Sequence, residues 1–414
     1  MGSKISKVTR ATPAKSKTAV PRIPQDIIDE ILDHLTADSD PSGFLQTCAV
    51  ASLRSCALVS ISWVRPCRRH LFHSIPIVSW SMRKWIEAFP VLEESPSHYV
   101  RAIHIWTGGT QCVPEKLSEY ASWFPNTEKM CLVGNAEGST LPPYSCLEYT
   151  GGVTLVQVRD VMAQLPNLHD LSLSMFLVAA DSRELPGIGT VLRGRFGGKL
   201  SLCGQYADKD TINMLLEVPS GLRFTEVRIS CTCDCLLSTV RLVEACGDTL
   251  VKLSHMINVD GKSHPSHNLA GTGVRNVDTD AVSGAGGIEA CEQSFDFSKF
   301  PNLQEVDFGL SRIEGSPHWI PKALSTLRPA TSPRLSTIRL NFIYPPTADP
   351  PVATLVKTMG NDLRWVADEF TRIEREFERA VNLTVVRGPG FEALLDTLNV
   401  RFHFRGPDEV AWPH

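Results

Sequence analysis

The chain has 414 residues, 43% of them hydrophobic, with a net charge of -4 and 12 cysteines. That length can bury one large core or several small stacked ones. Nothing in the overall charge argues for nucleic acid, whose signal is a basic patch or stripe, and the cysteines are too sparse for a disulfide scaffold. No N-terminal stretch combines a basic region, an apolar segment and a small-residue cleavage site, so no signal peptide is expected. Apolar runs such as Leu173 to Ala180 are far too short to span a bilayer. Reduced thiols and a cytoplasmic or nuclear location follow, and the sequon at Asn382 to Thr384 reads as a chance match.

Residues 1–20 carry Lys4, Lys7, Arg10, Lys15 and Lys17, no acid, and almost no large apolar side chain. Such a segment cannot offset its ordering entropy by burial, and a disordered basic tail is predicted. Met1-Gly2-Ser3-Lys4-Ile5-Ser6 also fits the pattern for myristoylation of Gly2. A membrane becomes a partner only if Gly2 carries that chain.

Residues 21–75 read as a compact helical block. Pro24 suits a first helical position, and Asp26 favours the positive helix N-terminus. Ile27, Ile28, Ile31, Leu32 and Leu35 recur at helical spacing as one broad apolar face. Thr36 to Gly43 is a polar break. Leu53, Cys56, Val59 and Trp63 mark a second helix, and Pro66 is expected to open a third that ends in Leu71 and Phe72. These apolar residues are too many for the core of so small a block, which predicts either an interface or packing on whatever follows.

From residue 76 a different phrase recurs: a helical stretch, a Pro-Asn or similar turn, then L-x-x-L-x-L. It appears as Leu165-Pro166-Asn167-Leu168 with Leu171 and Leu173, as Phe300-Pro301-Asn302-Leu303 with Val306 and Phe308, and as Pro333-Arg334-Leu335 with Ile338 and Leu340. Weaker copies centre on Phe124 to Leu132, Leu222 to Ile229 and Leu250 to Leu253. Adjacent copies lie roughly 26 to 32 residues apart, as in leucine-rich repeats. Asn258 to Ser294, rich in Gly, Ser, Asn, Asp and His, reads as a flexible excursion from the array. Leu363, Val366, Phe370, Ile373 and Phe377 step by three and four along a long helix, and Val381 to Val386, Phe391 to Leu398 and Val400 to Phe404 then read as strand, helix and strand in a closing cap.

The block from Pro21 to Phe72 resembles an F-box. The matching pieces are Ile23-Pro24, the helix Ile27 to Leu35, Leu53 with Cys56-Ala57-Leu58-Val59-Ser60, then Trp63, and Leu71-Phe72. The segment Thr36 to Ser52 is longer than the usual turn between the first two helices of that family. The array behind it is similar to the leucine-rich target-binding region of many F-box proteins, including large fungal families. The resemblance implies an α/β chain with an N-terminal three-helix F-box at 21–75 and an irregular leucine-rich-repeat solenoid at 76–414, interrupted at about 258–294. It further implies a Skp-family adaptor and a cullin complex as partners, a target protein held by the repeats, and a role as the substrate-recruiting subunit of a ubiquitin ligase. The adaptor contacts it implies are Pro24, Ile27, Ile28, Ile31, Leu32, Leu35, Leu53, Leu58, Val59, Trp63, Leu71 and Phe72. The alternative is a non-catalytic interaction scaffold that uses the F-box without ubiquitin transfer.

No catalytic residue, cofactor or metal is expected. Cys231, Cys233 and Cys235 alternate as residues lining one strand face, whereas structural zinc prefers C-x-x-C turns; His264 and His267 stand in the excursion. Arg193 to Leu200 fails as a phosphate loop at both ends, and Val282 to Gly286 fails as a nucleophile elbow. Outward strand positions such as Ser172, Ser174, Asp307 and Arg339, together with the excursion, are the expected target contacts.

Overall fold

The computed structural model describes residues 23–37, 46–77, 79–106, 116–133, 153, 155–174, 196–203, 209–218, 221–232, 235–258, 294–310, 319–342, 352–378 and 380–387. The basic tail with Gly2, the Cys233 position, the pair His264 and His267, all of the excursion between its two end residues, and the cap elements expected at Phe391 to Leu398 and Val400 to Phe404 lie outside them. Two compact units divide the chain, Met1–Leu71 and Phe72–His414.

The first unit holds α1 (Gln25–Thr36), α2 (Thr47–Ala57) and α3 (Ile61–Leu71). Ile28, Leu32, Leu53, Trp63 and Cys67 form its core, with Leu35, Cys56, Ala57 and Leu71 packed on it. Burial pushes the Cys67 thiol above its ordinary pKa.

In the second unit the described residues form one sheet of ten strands, all parallel and neighbours in chain order. They are β1 (Ser74–Ile77), β2 (Ala102–Trp106), β3 (Lys129–Val133), β4 (Asp170–Ser174), β5 (Lys199–Cys203), β6 (Glu226–Thr232), β7 (Lys252–Asn258), β8 (Glu305–Leu310), β9 (Thr337–Phe342) and β10 (Asn382–Arg387). Parallel neighbours require crossover connections. These carry α4 (Ser79–Ala88), α5 (Leu117–Ala121), α6 (Leu155–Gln164), α7 (Lys209–Leu216), α8 (Leu236–Ala245), α9 (Trp319–Leu324) and α10 (Val352–Glu376).

This corrects the expected architecture. In place of a three-helix F-box followed by an irregular leucine-rich-repeat solenoid, the chain builds an α/β fold around a continuous ten-stranded parallel sheet. The repeat phrase marked β3, β4, β6, β7, β8 and β9, and the cap reading marked β10, but β1, β2 and β5 carry no copy of the phrase and were not expected. The physical reason is register. Every strand needs only two inward apolar positions, and the one row reads Ile75, Ile103, Met130, Leu171, Leu200, Val227, Leu253, Val306, Ile338 and Leu383 across all ten. A strand such as Lys-Leu-Ser-Leu-Cys at β5 satisfies that rule with no repeat signature.

The Pro-Asn turns do have a distinct task. Asn126 donates to the His98 carbonyl at 3.3 Å, Asn167 to Pro125 at 3.1 Å, and Asn302 to Asp248 at 2.7 Å. Each side-chain amide therefore supplies a donor to a backbone carbonyl just before the preceding strand, at His98 beside the Arg101 guanidinium.

The expected amphipathic helix near the C-terminus is α10, and Leu363, Val366, Phe370, Ile373 and Phe377 are all buried. Arg372 on the same helix is half-buried. Its guanidinium pairs with Glu369 and Glu376, both at 2.7 Å, and donates to the Leu324 and Leu327 carbonyls at 2.9 and 3.1 Å. A cation thus closes the C-terminal end of α9, where orphan carbonyls gather. Arg372→Ala is expected to lower unfolding free energy by about 2–3 kcal/mol, because it strands two carboxylates and two carbonyls. Urea denaturation would show this as an earlier midpoint, and Arg372→Lys should recover only part of it, lacking the planar fork. An unshifted midpoint for Arg372→Ala would contradict the assignment.

Candidate docking surface

Helix α1 carries more apolar residues than its own unit can bury. Ile28 and Leu32 are 1% and 0% exposed, whereas Ile27 and Ile31 remain 43% and 39% exposed. Pro24 at the N-cap is exposed and Ile23 before it is 51% exposed. Leu35 is half-buried against the core.

The second and third helices differ from expectation in their boundary. The pattern Leu53, Cys56, Val59, Trp63 predicted one continuous helix, with a new one opening at Pro66. Instead α2 stops at Ala57, α3 begins at Ile61, and Pro66 lies inside α3. The cause is local. The Leu58 and Val59 amides close back on Ser55 and Cys56 at 3.1 and 3.0 Å. The Ser60 hydroxyl accepts from the Ser62 amide at 3.4 Å, and the Ser60 carbonyl accepts from Trp63 at 3.0 Å, a short polar side chain starting a helix. Leu58 and Val59 therefore stand in a turn, 89% and 68% exposed, and Ile61 beyond them is 91% exposed.

The implied adaptor contacts thus separate. Pro24, Ile27, Ile31, Leu58 and Val59 face solvent; Ile28, Leu32, Leu53 and Trp63 belong to the unit's core; Leu35, Leu71 and Phe72 are intermediate. Phe72 falls in the second unit, edge-on to Trp85 at 5.7 Å between ring centroids. Ile61 was missed, although its position tells. The buried stripe of α3 is Trp63, Cys67 and Leu71, and Ile61 is two residues out of phase with it.

At the far end of this unit His70 sits 3.4 Å from Asp33 and 3.4 Å from the Thr36 hydroxyl, which ties α3 to α1. Burial lowers the His70 pKa, against the opposing pull of Asp33.

The outward face of the sheet is the second candidate. Ser172, Asp307 and Arg339 share one register row with Ser201, Arg228 and Ser254. Ser174 lies two residues further along β4, in register with Val133. Asn341 donates to Asp307, and burial raises the Asp307 pKa to about 6 against the lowering effect of Arg339, Lys252 and Arg228. The neighbouring outward row alternates in sign over six adjacent strands: Lys129, Asp170, Lys199, Glu226, Lys252, Glu305. Lys199 meets Glu226 at 2.8 Å and Lys252 meets Glu305 at 2.7 Å. Opposite charges at facing positions support the pairing, and this row is neutral as a whole.

One inward position breaks the apolar rule. His255 occupies the row of Ile229 and Phe308 and is fully buried among Phe295, Trp319 and Phe308. Its Nε2 lies 3.4 Å from the Cys231 thiol, its Nδ1 has no hydrogen-bond partner among the described residues, and burial drives its pKa down to about 3. Cys231 is also buried, as a strand residue lining the core, while Cys235 caps α8. Among the described residues no group of three His, Cys, Asp or Glu side chains is placed to hold a metal ion, and no helix is long and apolar enough to cross a membrane.

Compared with known proteins, the chain matches no family model and no curated protein.

Proposed function

We propose that this chain is a substrate-recruiting subunit of a cullin-based ubiquitin ligase, which docks a Skp-family adaptor through its N-terminal helical unit and holds a target protein on its sheet unit. One observation carries the docking half. Among the described residues nine large apolar side chains stand exposed, and six of them belong to the small first unit: Ile23, Ile27, Ile31, Leu58, Val59 and Ile61. Exposed apolar residues concentrated in this way mark an interface. Leu58 and Val59 also fall within the Cys56 to Ser60 phrase that resembles the F-box family. The polar outward rows of the sheet supply the target half. On this reading the chain works in the cytoplasm or nucleus, needs no cofactor or metal, and leaves bond-making to the assembled ligase.

Affinity purification of the tagged chain from its own cells, with the proteasome blocked, tests this. A Skp-family protein and a cullin should both be recovered, along with ubiquitin-modified targets. Recovery of the adaptor without a cullin would instead make the chain an interaction scaffold, and recovery of neither would reject the proposal.

A further inference from the structure

Two exposed apolar stretches of the first unit, Ile27 with Ile31 on α1 and Ile61 on α3, are each bordered along their own helix by charge of a single sign. On α1, Ile27 and Ile31 are flanked by Asp26 and Glu30, both exposed. On α3, Ile61 is followed four and seven residues later by Arg65 and Arg68, on the same helical stripe and also exposed. Among the described residues none of these four charges has an ion-pair partner, unlike the outward row of the sheet, where Lys199 and Lys252 are matched by Glu226 and Glu305. Exposed charges beside an apolar contact steer encounter and select orientation more than they add affinity.

We infer that the docking surface is electrically polar, so that its partner presents an apolar groove with a basic rim toward α1 and an acidic rim toward α3, and binds in one orientation only. This rests on the adaptor-docking reading and adds to it the chemistry and direction of the adaptor's contact face. A partner approaching the other way round would set acid against acid and base against base. Like-charge juxtaposition of that kind rejects the wrong arrangement without weakening the right one.

Stopped-flow association of the full chain with a purified Skp-family adaptor tests the polarity, run at about 0.05 M and again at about 1 M salt, where screening is nearly complete. Two double variants are compared with wild type: Asp26→Lys with Glu30→Lys, and Arg65→Glu with Arg68→Glu. Both should associate about tenfold more slowly at low salt, and both should converge on wild type at high salt. Combining all four changes restores the net charge but reverses the polarity, so that variant should be the slowest. Were net charge alone responsible, one double variant would speed up as the other slowed, and the quadruple variant would match wild type; either result overturns the inference while leaving docking intact. Rates unchanged in every variant would overturn it too. Failure of the wild type to bind the adaptor would remove the docking reading itself, and the inference with it. Circular dichroism of each variant establishes that the helices persist.

Discussion

Replacing Leu58 and Ile61 together by alanine is expected to abolish capture of the adaptor while leaving the first unit folded. The two side chains are 89% and 91% exposed, so their loss opens no cavity and should change stability by no more than about 0.5 kcal/mol. As interface anchors each is expected to contribute about 2 kcal/mol, and together they would raise the Kd on the order of 1000-fold. Calorimetric titration of wild type and variant against a purified Skp-family adaptor, with a thermal melt alongside, measures both quantities. Unchanged affinity in a folded variant would exclude these residues as anchors. Trp63→Ala is unsuited to the purpose. Trp63 is 8% exposed within the core, and truncating a buried aromatic typically costs about 3–5 kcal/mol, so lost binding there would report unfolding.

The second large expectation concerns pH, where two buried groups act in opposite directions. The His255 pKa falls from 6.5 to about 3 in the folded chain, so the unfolded chain binds the proton first. Its contribution is complete above pH 6.5 and is lost as pH falls toward 3. Asp307 rises from 3.8 to about 6, so the folded chain binds that proton first. Its ionisation costs stability as pH rises from 3.8 to 6. Between those limits the two slopes nearly cancel, and the contribution of this pair is flat. Separate variants should uncover each arm. Asp307→Asn is expected to lose stability on acidification from pH 6 to 4, by about 2–3 kcal/mol, and His255→Phe to gain a similar amount. Urea midpoints at pH 4, 5 and 6 for both variants measure the divergence. Parallel pH profiles for the two variants would show that at least one assignment is mistaken.

How much of this was legible in the sequence follows from which patterns are local. The period-two alternation Leu171, Leu173 or Val306, Phe308 is carried entirely by neighbouring residues, and it located most strands. The step of three and four from Leu363 to Phe377 located α10 for the same reason. The continuous sheet was not legible, because it also runs through β1, β2 and β5, whose few apolar residues carry no repeat phrase to mark them. The helical block was found, but its exposed and buried residues could not be sorted. Ile27 and Ile28 are adjacent and chemically identical, and only the packing of α2 and α3 buries one and leaves the other outside. His255 was legible in principle, since Leu253 and Ile257 on either side fix it on the inward face.

The six alternating charges on the outward face also work as a parity check on assembly. Each of Lys129, Asp170, Lys199, Glu226, Lys252 and Glu305 finds the opposite sign on the adjacent strand and its own sign one strand further on. The inward residues cannot make this distinction, because Leu171, Leu200 and Leu253 are interchangeable to one another. A folding error that omits one strand would therefore satisfy the core and still bring lysine against lysine or acid against acid. So would a strand borrowed in register from a second copy of the chain to lie beside its own counterpart. Facing like charges destabilise a strand pair, so the ladder penalises miscounting in a sheet whose core cannot count.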